Sequence, residues 1–392
     1  MKKSKKYLII GGGFHNNGAE SMLYTLVSEL KDREPGCEVF VGMNKVKSDR
    51  ILNDYNFKII ENYTELRKRL LSFKTSFKDF IRGKKNELND ILNKIDVVFD
   101  ISGFALSSQW GVEHSSRFLN VIKLAKRYRT KVILMPQSFG PFDYGEHKIP
   151  LIKDIKKTLS KVDLIFCREK EGYELLKELG LKNIELSTDM VLQRGKEYSN
   201  IIKNNVKLDI PEIKDNSVLI IPNERVHERM NHDNFMNIYK EVISHLLAKN
   251  MNVYISYYAD DDVALAKEIA NLINNANIHL LDKKYNCLEY EKIFSKFKFV
   301  ISSRFHSVVH SYKNFVPCLV LGWAVKYKEL CHSVNQDDIM FDCRENVNIH
   351  DIINATDTLI TNRESRSFTI KEAVTNIQQN SCFNRIWEVL KK

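Results

Sequence analysis

Ser302-Ser303-Arg304-Phe305-His306-Ser307 sets an arginine and a histidine two residues apart, directly after the apolar run Phe299-Val300-Ile301. The run reads as a strand, and the spacing beyond it predicts a helix from this motif to Tyr312. A helix start offers free backbone N–H groups and a partial positive charge. Arg304 adds a planar fork of donors matched to phosphate or carboxylate. His306 adds a group that exchanges a proton near neutral pH. Together they can bind a small anion and move a proton beside it. The plainer reading is a serine-capped helix with a surface arginine and a packed histidine.

Six further strand ends carry polar or glycine motifs. Ile9-Ile10-Gly11-Gly12-Gly13-Phe14-His15-Asn16-Asn17-Gly18-Ala19-Glu20 runs from a strand through glycines into a helix, so backbone can approach a ligand closely. It has neither the GxGxxG nucleotide spacing nor the GK[ST] of a phosphate loop. It is either a tight turn capped by Asn17 or the wall of a sugar or nucleotide site. Phe99-Asp100-Ile101-Ser102-Gly103-Phe104 ends in small polar residues. Met135-Pro136-Gln137-Ser138-Phe139-Gly140-Pro141-Phe142 leaves Gln137 and Ser138 where a strand stops. Arg168 follows Phe166-Cys167, Thr188-Asp189 follows Ser187, and Lys326 closes Gly322-Trp323-Ala324-Val325. A single such end is unremarkable; all of them fit one cleft.

The elements that must hold these ends alternate strand and helix. Tyr7–Ile10, Val39–Val41, Lys58–Ile60, Asp96–Ile101, Lys131–Met135 and Asp163–Cys167 read as strands, with helices over Ala19–Leu30 and Glu169–Leu179, the second stopped by Gly180. Gly195–Asn216 is polar, contains Pro211 and reads as a linker. The alternation then restarts with strands at Val218–Ile221, Val253–Tyr257, Ile278–Leu281, Lys298–Ser302 and Pro317–Leu321. Helices fall around Phe235–Leu247 and Val263–Ile273, and an amphipathic helix over Ser381–Leu390 ends the chain. Short apolar strands separated by helices indicate parallel sheets covered on both faces. The expected architecture is α/β: residues 1–200 as one domain, 201–380 as a second, and 381–392 as a helix packing back across their junction. Ligands in such folds sit beyond the carboxyl ends of the strands.

At 392 residues the chain is too long for one ordinary core, and 43% hydrophobic with 28% charged residues is a globular composition. Seven dispersed cysteines without a CxxC pair point to reduced thiols and a cytoplasmic setting. No apolar run approaches the roughly eighteen residues of a membrane span. The net charge of +10 favours anionic partners. Part of it lies between Arg67 and Lys85, where Leu66, Leu70, Phe73, Phe77 and Phe80 follow helical spacing. That segment is either a helix on its own domain with a solvated basic face or one that rests on an anionic membrane surface. No nucleic-acid-binding module signature accompanies the charge, and there is no GxSxG elbow. His306 and His310 share a helical face but lack a third metal ligand, and His227 and His232 are five apart.

Taken in order, the motifs resemble the polysaccharide pyruvyl transferases. The likeness runs from Gly11 to about Leu330 through Asn17–Glu20, Ser102-Gly103, Gln137–Phe142, Arg168-Glu169, Thr188-Asp189, Ser303–Ser307, Pro317 and Lys326. The resemblance implies two Rossmann-like domains facing each other across a cleft, a GT-B-like fold. It implies transfer of the pyruvyl group of phosphoenolpyruvate onto two hydroxyls of a sugar in a capsule, exopolysaccharide or cell-wall polymer, or its lipid-linked precursor. Carried over, Arg304 and His306 are catalytic, with His306 as general acid or holding the phosphate. Arg168, Gln137, Ser138, Arg304, Phe305, His306 and Lys326 form the phosphoenolpyruvate site. Gly13, His15, Asn17, Glu20, Ser102 and Gly103 form the acceptor side. No metal or further cofactor is required. The chain departs from the pattern at Gln137, where relatives often carry histidine, and at His15–Ala19, where many have Asn-x-Gly-Asp. The alternatives are a GT-B-type glycosyltransferase, with Arg304 and Lys326 on the diphosphate of a nucleotide sugar, and a non-catalytic assembly protein that keeps the fold.

Overall fold

The structure, a computed structural model, describes every residue except 1–3, 15, 44–54, 66–86, 199–200, 202–207, 346 and 392. His15 and the basic segment from Arg67 to Lys85 therefore lie outside the described residues.

Two parallel sheets form the protein. The first contains β1 (Lys6–Ile10), β2 (Glu38–Gly42), β3 (Lys58–Ile60), β4 (Val97–Asp100), β5 (Lys131–Gln137), β6 (Leu164–Cys167) and β7 (Ile184–Leu186) in the order β3-β2-β1-β4-β5-β6-β7. The second contains β8 (Ser217–Ile221), β9 (Asn252–Ile255), β10 (Ile278–Leu280), β11 (Phe299–Ser302), β12 (Cys318–Gly322) and β13 (Met340–Asp342) in the order β10-β9-β8-β11-β12-β13. Every pairing is parallel, and the central strands are buried along their length: β4, β8 and β11 have no exposed residue. That is why they read as unbroken apolar runs rather than alternating ones. The order reverses between β1 and β4 in one sheet and between β8 and β11 in the other. Each reversal opens a crevice beyond the strand ends.

The expected strands are all present, shifted by a residue or two at their ends. The edge strands β7 and β13, at three residues each, carried too little apolar signal to be recognised in advance. Helices Gly111–Arg127, Lys148–Leu159, Cys287–Phe294, Val325–Ser333, Ile349–Thr361 and Arg363–Gln379 add to those expected. The final helix, Cys382–Lys391, lies against the first sheet: Arg385 pairs with Glu185 at 2.7 Å and the Val389 carbonyl accepts from Lys131 Nζ at 3.0 Å.

The two halves meet along helix Asn17–Arg33, which packs on helices Cys287–Phe294 and Phe305–Lys313. One apolar cluster runs through both sheets here. Inside it, Ser21 Oγ meets His310 Nε2 at 2.7 Å, and the Cys287 amide donates to Glu20 at 3.1 Å. Burial holds the His310 imidazole neutral, as its packing role requires. Tyr198 ties the connecting segment to both halves, touching Thr25 Oγ1 at 3.0 Å and accepting from Lys313 Nζ at 2.8 Å. Among the described residues no helix is long and apolar enough to cross a membrane, and all seven cysteines are free and buried.

Candidate active site

The two crevices share a cavity of about 230 Å³. Gly11, Ser102 and Gly103 reach it from the ends of β1 and β4; Asn223, Arg304 and Trp323 reach it from β8, β11 and β12. Gly11 is required by the switch point itself: a Cβ there would lie 2.6 Å from the Ser102 backbone nitrogen, and its φ is +82°. Among the described residues, the charged side chains that line the cavity are Arg168, Arg225, Arg304 and Lys326, with no carboxylate among them.

Two helices begin at this cavity without a side-chain cap. Phe305–Lys313 starts after Arg304, and Val325–Ser333 starts after Ala324. Their first N–H groups and dipoles favour an anion. The turn into the first is braced from below: Ser302 Oγ accepts from the Arg304 amide at 3.1 Å, and the Ser303 carbonyl accepts from Asn223 Nδ2 at 2.8 Å and Tyr327 Oη at 2.7 Å.

Arg304 is held on one side only. Its Nη2 pairs with Asp261 at 2.6 Å and with the fully buried Asp262. The buried Nε has no partner among the described residues. The guanidinium is thus oriented by carboxylates behind it and keeps donors for a ligand in front.

Arg168 is more fully committed. It donates to Glu169 at 2.8 Å, Asp189 at 3.2 Å, the Gly103 carbonyl at 3.2 Å and Ser138 Oγ at 2.7 Å. Its plane lies 4.5 Å over the Phe305 ring, a contact of about 1–2 kcal/mol when shielded from water. It links the first domain to the motif of the second and fixes Phe305.

Lys326 has no hydrogen bond or ion pair among the described residues. It sits 5.1 Å over Phe305 and 5.4 Å over Trp323. Burial, with Arg168 and Arg304 nearby, lowers its ammonium to about 8. Above that value the folded chain has released a proton that the unfolded chain still holds. The charge therefore weakens the empty protein below pH 8, and the penalty fades as pH rises towards the ordinary lysine value. Lys326→Met should raise the thermal midpoint of the empty protein at pH 7, and an anionic ligand should stabilise the variant less than the wild type. A lower midpoint in the variant would show that the lysine is structural instead.

His306 is buried against the first domain. Its Nε2 has no hydrogen bond among the described residues and lies 3.7 Å from Asp189 Oδ2. Burial lowers its pKa to about 4, so the empty site holds a neutral imidazole, and a proton it donates must arrive with the ligand. The ring fits because residue 18 is glycine: a Cβ there would stand 2.2 Å from His306 Nδ1. Gly18→Ala should displace the imidazole and lower turnover at least about tenfold, while far-ultraviolet circular dichroism stays unchanged. Unaltered turnover would remove His306 from the working geometry.

The expected residues divide accordingly. Arg168, Arg304, Phe305, His306, Lys326, Ser102 and Gly103 converge on the cavity. Gln137 and Ser138 lie behind it: Ser138 bridges Arg168 and Glu169, and Gln137 is fully buried with neither amide atom bonded. Gly13, Asn17 and Glu20 are not among its described lining residues; Glu20 accepts from the Cys287 amide at the domain junction, beside the Asn286 cap of helix Cys287–Phe294. The cap of helix Asn17–Arg33 is Asn16, which accepts from the Ala19 amide at 2.8 Å, in place of Asn17. Asn16, Asn223, Arg225 and Tyr258 were not foreseen, nor was the central position of Asp189 between Arg168 and His306. The Thr188-Asp189 motif and the strand end before Asn223 were the available signals.

Two facing Rossmann-like sheets over a cationic cleft are the architecture of GT-B-fold enzymes. UDP-GlcNAc 2-epimerase from Neisseria meningitidis, solved bound to UDP-GlcNAc, aligns with a TM-score of 0.58 at 14% identity over 98% of this chain and 99% of its own. The Methanocaldococcus jannaschii UDP-GlcNAc 2-epimerase gives 0.57 at 13% identity over 91% and 92%. The N-terminal domain of Candida albicans trehalose-6-phosphate phosphatase gives 0.57 at 12% identity over 100% and 97%. At such identities these likenesses establish the fold alone. No curated protein matches the chain. The sequence family described as Polysaccharide pyruvyl transferase matches residues 4–324, and the chain belongs to that family.

Proposed function

We propose that this protein transfers the pyruvyl group of phosphoenolpyruvate to a sugar of a surface polysaccharide or its lipid-linked precursor, forming a ketal and releasing phosphate. The observation that carries the reading is the cavity itself: four cationic side chains and two uncapped helix starts converge, with no carboxylate among the described lining residues. Phosphoenolpyruvate carries a phosphate and a carboxylate, and one arginine cannot neutralise both. Arg304 and the start of helix Phe305–Lys313 hold one anionic group; Lys326 and the start of helix Val325–Ser333 hold the other. Arg168 positions Phe305 beneath them.

The reaction balances without a redox partner. A proton goes to the methylene carbon while the oxygen of one sugar hydroxyl bonds to C2, and the proton that hydroxyl loses replaces the one delivered. The oxygen of the second hydroxyl then bonds to C2 as the C2–O bond to phosphate breaks, and its proton leaves with the phosphate. His306 carries a proton in this sequence once the ligand's negative charge makes its protonated form favourable, with the Asp189 carboxylate 3.7 Å away favouring that form. The cations offset charge on the departing phosphate.

The test is the thermal midpoint of the pure protein with phosphoenolpyruvate, with inorganic phosphate and with nucleotide sugars. A ligand that binds only the folded chain raises the midpoint. A rise with phosphoenolpyruvate and none with UDP-sugars is the expected result. A rise with a UDP-sugar alone would move the function to glycosyl transfer on the same fold.

A further inference from the structure

Trp110 is 48% exposed, an unusual placement for the side chain with most to gain from burial. It is not on a loose loop. It ends a turn, Ser108–Trp110, that follows the β4 strand end lining the cavity. That turn is anchored at several points. Ser107 is fully buried and its Oγ accepts from the Gln109 amide at 3.1 Å. The Pro141 carbonyl accepts from the Ser108 amide at 2.8 Å and from its hydroxyl at 2.9 Å. Leu106 and Phe139 form a bridge between the two strand-end loops. Helix Gly111–Arg127 begins immediately afterwards.

Trp110 is also connected to the cavity. Phe104, a lining residue, meets it with ring centroids 5.4 Å apart at 70°. The two rings lead from the cavity lining at Phe104 to the exposed Trp110 on the first domain. Trp110 also meets the His114 ring, with centroids 6.4 Å apart, and still keeps about half of its surface exposed.

We infer that Phe104 and Trp110 form a saccharide platform, on which the acceptor's second sugar unit rests while the first enters the cavity beside Ser102 and Gly103. A pyranose presents a patch of polarised C–H groups on one face and hydroxyls around its rim. The negative face of an aromatic ring attracts the C–H patch, and the rim remains in water or bonds to backbone. A ring fixed in advance gives up little conformational freedom on binding. A neutral aromatic pair reaching outside the cavity suits an uncharged sugar chain and carries no charge for phosphoenolpyruvate. The acceptor is accordingly a di- or oligosaccharide, free or lipid-linked, and a monosaccharide fills the site incompletely. This assignment rests on the proposed function for the identity of the bound chain.

The experiment uses the whole protein and an array of surface glycans from one to six sugar units, probed with wild type, Trp110→Ala and Trp110→Phe. In parallel, the midpoint shift with phosphoenolpyruvate is recorded for each. Expected are binding that requires two or more units, a loss of about tenfold or more in Trp110→Ala, recovery in Trp110→Phe, and an unchanged phosphoenolpyruvate shift. Equal binding by Trp110→Ala, equal binding of a monosaccharide, or no saccharide binding by the wild type would each overturn the platform. Trp110-dependent glycan binding without any response to phosphoenolpyruvate would leave the platform standing and overturn the pyruvyl transfer.

Discussion

Arg304→Ala should abolish the stabilisation by phosphoenolpyruvate and lower turnover by about 10²–10³-fold. The guanidinium is the group best placed for an incoming anion: two carboxylates orient it, its Nε is unpaired, and it stands at the start of a helix. Its removal has a second consequence. Asp262 is fully buried, and burial already pushes its carboxyl up in spite of the adjacent guanidinium. Without Arg304 that carboxylate loses its counter-charge. Breaking a buried pair from one side typically costs about 3–5 kcal/mol. Protonation of Asp262 would relieve part of that. Arg304→Ala with Asp262→Asn separates the two effects. The double variant should recover the midpoint of the empty protein and still fail to respond to phosphoenolpyruvate. A normal response in either variant would remove Arg304 from the anion site.

His306→Gln should leave the empty protein folded and reduce turnover by about 10²–10⁴-fold. Glutamine keeps hydrogen-bonding capacity but cannot carry a proton. The wild-type imidazole is neutral above about pH 4 because it is buried; Asp189 offsets part of that, and Arg168 and Lys326 add to it. Its folded pKa lies below the unfolded value, so the empty protein loses stability as pH falls through the ordinary histidine range towards 4. Phosphoenolpyruvate brings negative charge beside the ring and shifts that balance upward. Binding at pH 6 should therefore take up a proton at His306, read by titration calorimetry in buffers of different ionisation enthalpy. The ligand's own phosphate titrates in this range, so the informative quantity is the difference between wild type and His306→Gln. Equal proton uptake in the two, or near-normal turnover in the variant, would exclude His306 as the proton carrier.

Much of this arrangement was legible before the fold. Parallel strands buried on both faces must be short apolar runs, and their ends were visible as abrupt changes to glycine, serine or arginine. Ser302–Ser307 and Gly322–Lys326 were recognisable as strand-to-helix turns, and both prove to open helices at the cavity. Glu20 does not line the cavity, for a geometric reason. Gly18, Ala19 and Met22 line the cavity, but an α-helix turns about 100° per residue, so Glu20 and Ser21 face the other domain. Gln137 lies behind the cavity, and a strand end does not reveal whether its last side chain points into a crevice or back into the sheet.

The sequence by itself determined two α/β units, the strand ends that carry polar groups, and the arginine–histidine pair at a helix start. These are local properties, set by apolar periodicity, glycine placement and capping. Only the tertiary structure decided which charges meet. Asp261 and Asp262 stand more than forty positions before Arg304, Asp189 lies more than a hundred before His306, and Gly18 makes room for a ring nearly three hundred residues later. The charge state of His306 and Lys326 follows from those encounters. Desolvation and neighbouring cations act through space, and no spacing along the chain encodes them.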